Sequence, residues 1–348
     1  EAAKEINNRL DEIRAMALNI YMEQSAVRDG VTAEEVKGIL LGMASGQETL
    51  LGYFRRFIRN FEKRVGINRT VGSLRAYSNA YSHIERFLQA QYKLSDIPFS
   101  ALDRSFIDKY DLYLRTERNL APGTIINLTV QLKTIVGEAI ADGIITASPF
   151  MGYEPVRPKH VQKYLTAEEL HRIMTTPLHR QPLYHVRDMF LFSCFTGIPY
   201  GDMRLLTKDN LCLAEDGIWW IKSARQKTKI EFEIPLLDLP LQILKKYSGT
   251  APGDKLLPMY CNSTLNLYLK EIARICHIDR PLVFHAGRHT YATEITLSHG
   301  VPLETVSRML GHSQIETTQI YAKVTDEKID ADTKALNRKI SERFSVVI

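Results

Sequence analysis

Residues 284–321 read FHAGRHTYATEITLSHGVPLETVSRMLGHSQIETTQIY. Within the first six residues stand His285, Arg288 and His289. On a helix, positions i, i+3 and i+4 fall on one face. Three potentially cationic side chains there repel one another unless an anion lies between them, which points to a phosphate or carboxylate site. The ordinary alternative is a basic surface patch, or one core histidine beside an exposed arginine. Further along, Gly300 and Gly311 punctuate helices over 285–299, 302–310 and from about 314, as C-terminal caps do. His312 follows the second glycine, nine residues before Tyr321.

Working back along the chain, Thr166 and Glu169 in LTAEEL form a capping box that opens a helix. The apolar run VRDMFLFSCF follows. GIWWIKSARQKTKIEFEIPL then reads as a β-hairpin, because Ile230, Phe232 and Ile234 alternate with charged residues. Lys227 falls at or near its tip. Residues 154–164, EPVRPKHVQKY, form an extended basic linker. Upstream, residues 46–153 repeat a helical pattern. Leu74, Tyr77, Tyr81, Ile84 and Leu88 recur at three and four, Asp103 reads as an N-cap, Pro122 as a helix start and Gly143 as a stop. Residues 1–45 read as an amphipathic helical extension with too little apolar material to fold alone. The chain begins at Glu1 without a methionine, so this extension reads as the remnant of an upstream domain. Residues 326–348 read as a polar helical tail.

The chain has 348 residues, enough for two or three domains, with 45% hydrophobic and 24% charged residues and a net charge of +5. That balance permits a polyanionic partner without demanding one. The four cysteines, Cys194, Cys212, Cys261 and Cys276, have no metal-ligand spacing and read as reduced, buried thiols. No apolar run approaches a membrane span and no signal peptide is visible, so the reading is a cytoplasmic protein.

Taken together and in order, these residues resemble the tyrosine recombinases, or phage-type integrases. That family carries an arginine after a TG turn, a hairpin lysine, an H-x-x-R box, an LGH box, and a tyrosine nine or ten residues later. The corresponding stretches are TGIPYGD, Lys227 in RQKTKIEFEIP, HAGRHTYAT, LGHSQ, and Tyr321 in TTQIYAKV. The resemblance implies a mainly α fold: an all-helical, SAM-like core-DNA-binding domain over 46–153 and an α+β catalytic domain with a small antiparallel sheet over 165–325. It implies DNA strand cleavage through a 3′-phosphotyrosyl intermediate, with no ATP, cofactor or metal. Tyr321 is then the nucleophile and Arg288 the phosphate clamp. His285 is general base or second phosphate donor, His312 a further donor, and Lys227 the acid for the 5′-oxygen. His289 is assigned a structural role.

One position departs from the pattern. After Thr196, Gly197 and Ile198 the family places an arginine, and this chain has Pro199. Asp202 keeps the acidic position that follows. The chain resembles integrases of Bacteroides-type conjugative transposons, in which this arginine is also replaced. Arg187 and Arg204 are the candidate surrogates, although five residues on a helix turn Arg204 away from position 199.

The resemblance further implies double-stranded DNA as partner, clamped between the two domains. Arg75, Lys133, Arg157 and Lys159 are candidate backbone contacts. It implies a homotetramer on two duplexes with the C-terminal tail docked on a neighbour, accessory DNA-bending or directionality factors, and a lost arm-DNA-binding segment upstream. The expected function is integration and excision of a mobile element in a bacterial, nucleoid-associated setting. The alternatives are a DNA invertase or dimer resolvase with the same chemistry, and a catalytically silent regulator that uses residues 301–321 as a helix-turn-helix. The regulator reading leaves Lys227 and the H-x-x-R box unexplained.

Overall fold

The computed structural model describes residues 2–27, 31, 33, 36, 48–158, 163–321 and 326–341. The chain divides into two units, residues 1–160 and 161–348. Among the described residues, no helix is long and apolar enough to cross a membrane.

The first unit contains α1 (Ala2–Val27), α2 (Leu50–Glu62), α3 (Val71–Phe87), α4 (Arg104–Thr116) and α5 (Pro122–Ala141). Local chemistry sets its helix starts. Thr70 accepts from the Ser73 amide, Asp103 accepts from the Phe106 amide at 2.7 Å, and Pro122 occupies the first turn of α5, where its missing N–H leaves no intrahelical bond unmade. Ile84 and Leu88 are fully buried with Phe54, Phe87, Tyr110 and Leu132, while Tyr77 and Tyr81 pack partly buried beside them. α1 exposes Ile6, Leu10, Ile13, Met16 and Tyr21. Most of the extension after α1 lies outside the described residues.

In the second unit, α6 (Ala167–Thr175) opens with the expected capping box between Thr166 and Glu169. α7 (Gln181–Thr196) runs through the core, burying Leu183, Val186, Phe190, Phe192 and Cys194, which accounts for its lack of a polar face. α9 (Asp238–Lys246), α10 (Asn262–Ile275) and α11 (Ala286–Thr290) pack around it. Between lie the short α8 (Tyr200–Met203) and a three-stranded antiparallel sheet, β1 (Leu211–Leu213), β2 (Trp219–Ala224) and β3 (Glu231–Pro235), in that order. The hairpin reading holds, with Ile221 opposite Ile234 and both buried with Phe232. β1 was not expected: three residues are too few to display strand alternation.

The helix expected over 285–299 is broken. α11 ends at Thr290, a wide π turn covers Tyr291–Thr296, and a 3-10 turn covers Leu297–His299. The Thr296 hydroxyl bonds back to the Ala292 and Tyr291 carbonyls at 2.8 and 3.0 Å, competing with the regular ladder. α12 (Leu303–Leu310), α13 (Glu316–Gln319) and α14 (Asp326–Ser341) complete the described chain. Two of the four cysteines read as buried are not, and Cys212 is half-buried. Cys194 and Cys276 are buried, but Cys261 is exposed at the start of α10, where Ser263 and Thr264 lie 3.1 and 3.0 Å from its sulfur. These hydrogen bonds pull the thiol down to about 7.

Gly197 ends α7 with φ +69, and a Cβ there would lie 2.5 Å from the Tyr291 ring and 2.8 Å from Leu310. Positive φ and overpacking together cost a Gly197→Ala variant about 3 kcal/mol. Urea unfolding of the full chain measures this; a loss under about 1 kcal/mol, the backbone term alone, would contradict the close packing.

Candidate active site

The site is built on one carbonyl. α12 ends at Gly311, whose φ of +64 turns the chain away and leaves the Leu310 carbonyl at the negative end of the helix. Two guanidiniums donate to it, Arg288 Nη2 at 2.7 Å and Arg225 Nη1 at 2.9 Å. Arg288 also donates through Nη1 to the Gly197 carbonyl at 2.9 Å, so the TG turn supplies an acceptor. Arg225 follows β2, and its Nε pairs with Asp202 Oδ2 at 2.6 Å. The other Asp202 oxygen accepts the Gln226 amide at 2.8 Å. A Cβ on Gly311 would lie 2.9 Å from Arg225 Cγ, so the glycine of LGH also admits this arginine. Arg288 is 3% exposed. Burial first, and the neighbouring Arg225 second, bring its guanidinium down to about 10.

Around this pair stand three imidazoles and a phenol. His312 presents Nε2 to Arg288 Nη2 at 2.9 Å and Nδ1 to the buried Thr318 hydroxyl at 2.7 Å. Tyr321 is buried, with its phenol attracted to the Arg288 guanidinium. The His312 ring lies parallel to it, centroids 6.2 Å apart, and His289 meets it edge-on at 5.0 Å. His285 meets His289 edge-on at 5.0 Å. Lost hydration chiefly lowers all three, His289 and His312 to about 4 and His285 also below its ordinary value; next come Arg288 and Arg225 at His285 and His312, and His285, Lys163 and Arg288 at His289. A cleft of about 250 Å³ lies beside His285, lined by Pro199, Tyr200, Asn262 and Asn266.

The structure thus brings together Arg288, His312 and Tyr321, with His285 one turn away. Neither expected surrogate joins them. Arg187 donates to the Met174 and Thr176 carbonyls, lies over the Tyr184 ring and sits 3.9 Å from Asp188, held by the turn after α6. Arg204 is exposed, over the Tyr200 ring. The arginine in the site is Arg225, which sequence reasoning missed. The strand pattern carried no signal for it, because Arg225 lies just beyond the end of β2 at Ala224, in the loop that also carries the exposed Lys227. His289, read as structural, lies against Tyr321. Lys227 is exposed at the hairpin tip and has no hydrogen bond or ion pair among the described residues. Arg75, Lys133 and Arg157 are exposed; Lys159 lies outside the described residues. Among the described residues, no cluster of histidine, cysteine and carboxylate side chains is arranged to hold a metal.

Residues 163–328 match the phage integrase family, and residues 49–155 match the phage integrase SAM-like domain. The tyrosine recombinase XerD of Listeria monocytogenes is 26% identical over 273 residues, covering 74% of this chain and 89% of that protein. The Tn1549 transposon integrase, solved with transposon right end DNA, superposes with a TM-score of 0.64 at 18% identity, over 83% of this chain and 99% of the other. A lambda integrase tetramer on a Holliday junction gives 0.67 at 16% identity, over 89% and 87%. These two structural likenesses establish the fold.

The histidine values carry a pH consequence. His289 and His312 stay neutral in the folded chain down to about pH 4, whereas unfolded histidines take protons near pH ~6.5. Their contribution to stability is intact above ~6.5 and is lost as pH falls toward the folded values. The thermal midpoint, followed by the fluorescence of Trp219 and Trp220, therefore drops across that window, and His289→Phe flattens the drop. An equally steep drop in the variant would show that His289 is not one of its sources.

Proposed function

The chain belongs to the phage integrase family, the tyrosine recombinases, enzymes that cut and rejoin DNA strands, and we propose that it is the recombinase that integrates and excises a bacterial mobile element. The observation that carries the assignment of its site is the convergence of Arg225 and Arg288 on the Leu310 carbonyl beside Tyr321 and His312. Two guanidiniums held by neutral acceptors and one carboxylate keep net positive charge, which suits the non-bridging oxygens of a phosphodiester. Arg225 takes the part of the arginine that Pro199 cannot play.

The reaction follows from these groups. The Tyr321 oxygen attacks phosphorus and loses its proton, with His285 within the cluster to take it. Arg225 and Arg288 hold the two non-bridging oxygens as negative charge builds, a part that metal ions play in many nucleases. The 5′-oxygen leaves with a proton from Lys227. A 3′-phosphotyrosyl bond forms as the phosphodiester bond breaks, so attack by a second 5′-hydroxyl reverses the step without ATP.

Double-stranded DNA is the partner. Arg75, Lys133 and Arg157 are exposed and suited to backbone contacts, which makes binding fall with salt. Assembly as a tetramer is supported by α14, which exposes Ile329, Leu336 and Ile340 for a neighbour.

A covalent-trapping assay tests the reading. Duplexes carrying candidate element ends, nicked near the crossover, are mixed with the chain in EDTA without ATP. A denaturing gel shows a protein–DNA adduct that Tyr321→Phe abolishes. Arg225→Ala lowers adduct formation by about 100-fold, as loss of one oxyanion donor does, while Arg187→Ala and Arg204→Ala stay within about threefold, the range of a distant surface change. Adduct formation untouched by Arg225→Ala would overturn its part. No wild-type adduct on authentic ends that are specifically bound would overturn the reaction.

A further inference from the structure

His312 is held by two hydrogen bonds of different kinds. A guanidinium carries only donors, so the contact from Arg288 Nη2 at 2.9 Å makes His312 Nε2 an acceptor with no proton. The ring is neutral, and its single proton is on Nδ1, donated to Thr318 Oγ1 at 2.7 Å. This is the wrong tautomer for phosphate transfer. A lone pair on Nε2 facing a phosphoryl oxygen repels it; a donor is required there. The charged groups facing the ring are Arg288 from α11 and Arg225 from the hairpin, with the Tyr321 ring stacked alongside. Both guanidiniums oppose a second proton on the ring, so conversion to an imidazolium is disfavoured.

A hydroxyl resolves the conflict because it both accepts and donates. Thr318 is fully buried and sits in α13, and its carbonyl accepts the Tyr321 amide at 3.0 Å, so it travels with the nucleophile. We propose that Thr318 is a positioning residue that lets His312 change tautomer when phosphate binds, and only while the Tyr321 segment is docked. In the free enzyme Thr318 accepts from Nδ1–H and Nε2 accepts from Arg288. When a phosphate draws Arg288 away, Nδ1 releases its proton to water, Nε2 takes one from water, and the Thr318 hydroxyl turns to donate to Nδ1. No net proton is gained. The donor aimed at the phosphate thus becomes available when the tyrosine is in place. This inference rests on the recombinase reading of the same site.

Two measurements on the full chain test it. With ¹⁵N-labelled histidine, long-range ¹⁵N–¹H spectra read the tautomer of His312, assigned by its loss in His312→Gln. Nδ1–H is expected in the free chain, passing to Nε2–H on titration with inorganic phosphate. A ring that stays Nδ1–H, or becomes cationic, overturns the proposal. In the trapping assay Thr318→Val lowers adduct formation about tenfold, the effect of losing one buried hydrogen bond between neutral groups, with DNA binding unchanged, and Thr318→Ser restores it. Equal losses in Val and Ser variants, or none in Val, overturn it. If the wild-type chain forms no adduct, the recombinase reading fails, and the spectra still judge the tautomer change by themselves.

Discussion

The Leu310 carbonyl is the fixed point of the catalytic unit. It is an end-of-helix acceptor that no intrahelical amide can reach, and it takes one donor from each of two guanidiniums. Like charges side by side repel unless each has acceptors of its own. Gly197 gives Arg288 a second carbonyl, and Asp202 gives Arg225 a carboxylate. Each support in turn fixes a piece of backbone: the end of α7, the start of the hairpin loop, and the turn after α12. The two glycines in these turns are required by positive φ and by close approach, at Gly197 to Tyr291 and at Gly311 to Arg225. Removing the arginines from this framework would leave three turns without a common partner.

The same framework places the Tyr321 phenol. Tyr321 packs between neutral imidazoles, and burial keeps those imidazoles neutral. Positive charge near these rings then comes from the two guanidiniums and from Lys163 beside His285 and His289. The site therefore presents two guanidiniums and a set of polar rings whose protons are distributed by their hydrogen-bond partners.

Much of this was legible in the sequence. The caps at Thr166, Asp103 and Pro122 and the hairpin alternation rest on local rules that tertiary contacts did not override, whereas His285, Arg288, His312 and Tyr321 stood out through the family resemblance. The misreadings share a cause. The expected surrogates Arg187 and Arg204 lie along the chain near Pro199, whereas the guanidinium beside Arg288 comes from the hairpin and meets it at a carbonyl from a third element. The break after Thr290 depends on Thr296 folding back, and β1 on its pairing with β2, with Leu211 opposite Ile221. His289 faces Tyr321 only because the chain after α13 brings that ring to it. Such placements are set by which elements share a core, and periodicity within one element does not carry that information.

The most direct test of the central claim is a crystal structure of the Tyr321→Phe chain with orthovanadate. The account predicts one tetrahedral oxyanion with oxygens hydrogen-bonded to the guanidiniums of both Arg225 and Arg288. An oxyanion held by Arg288 without Arg225, or one that draws in Arg187 or Arg204 instead, would contradict it.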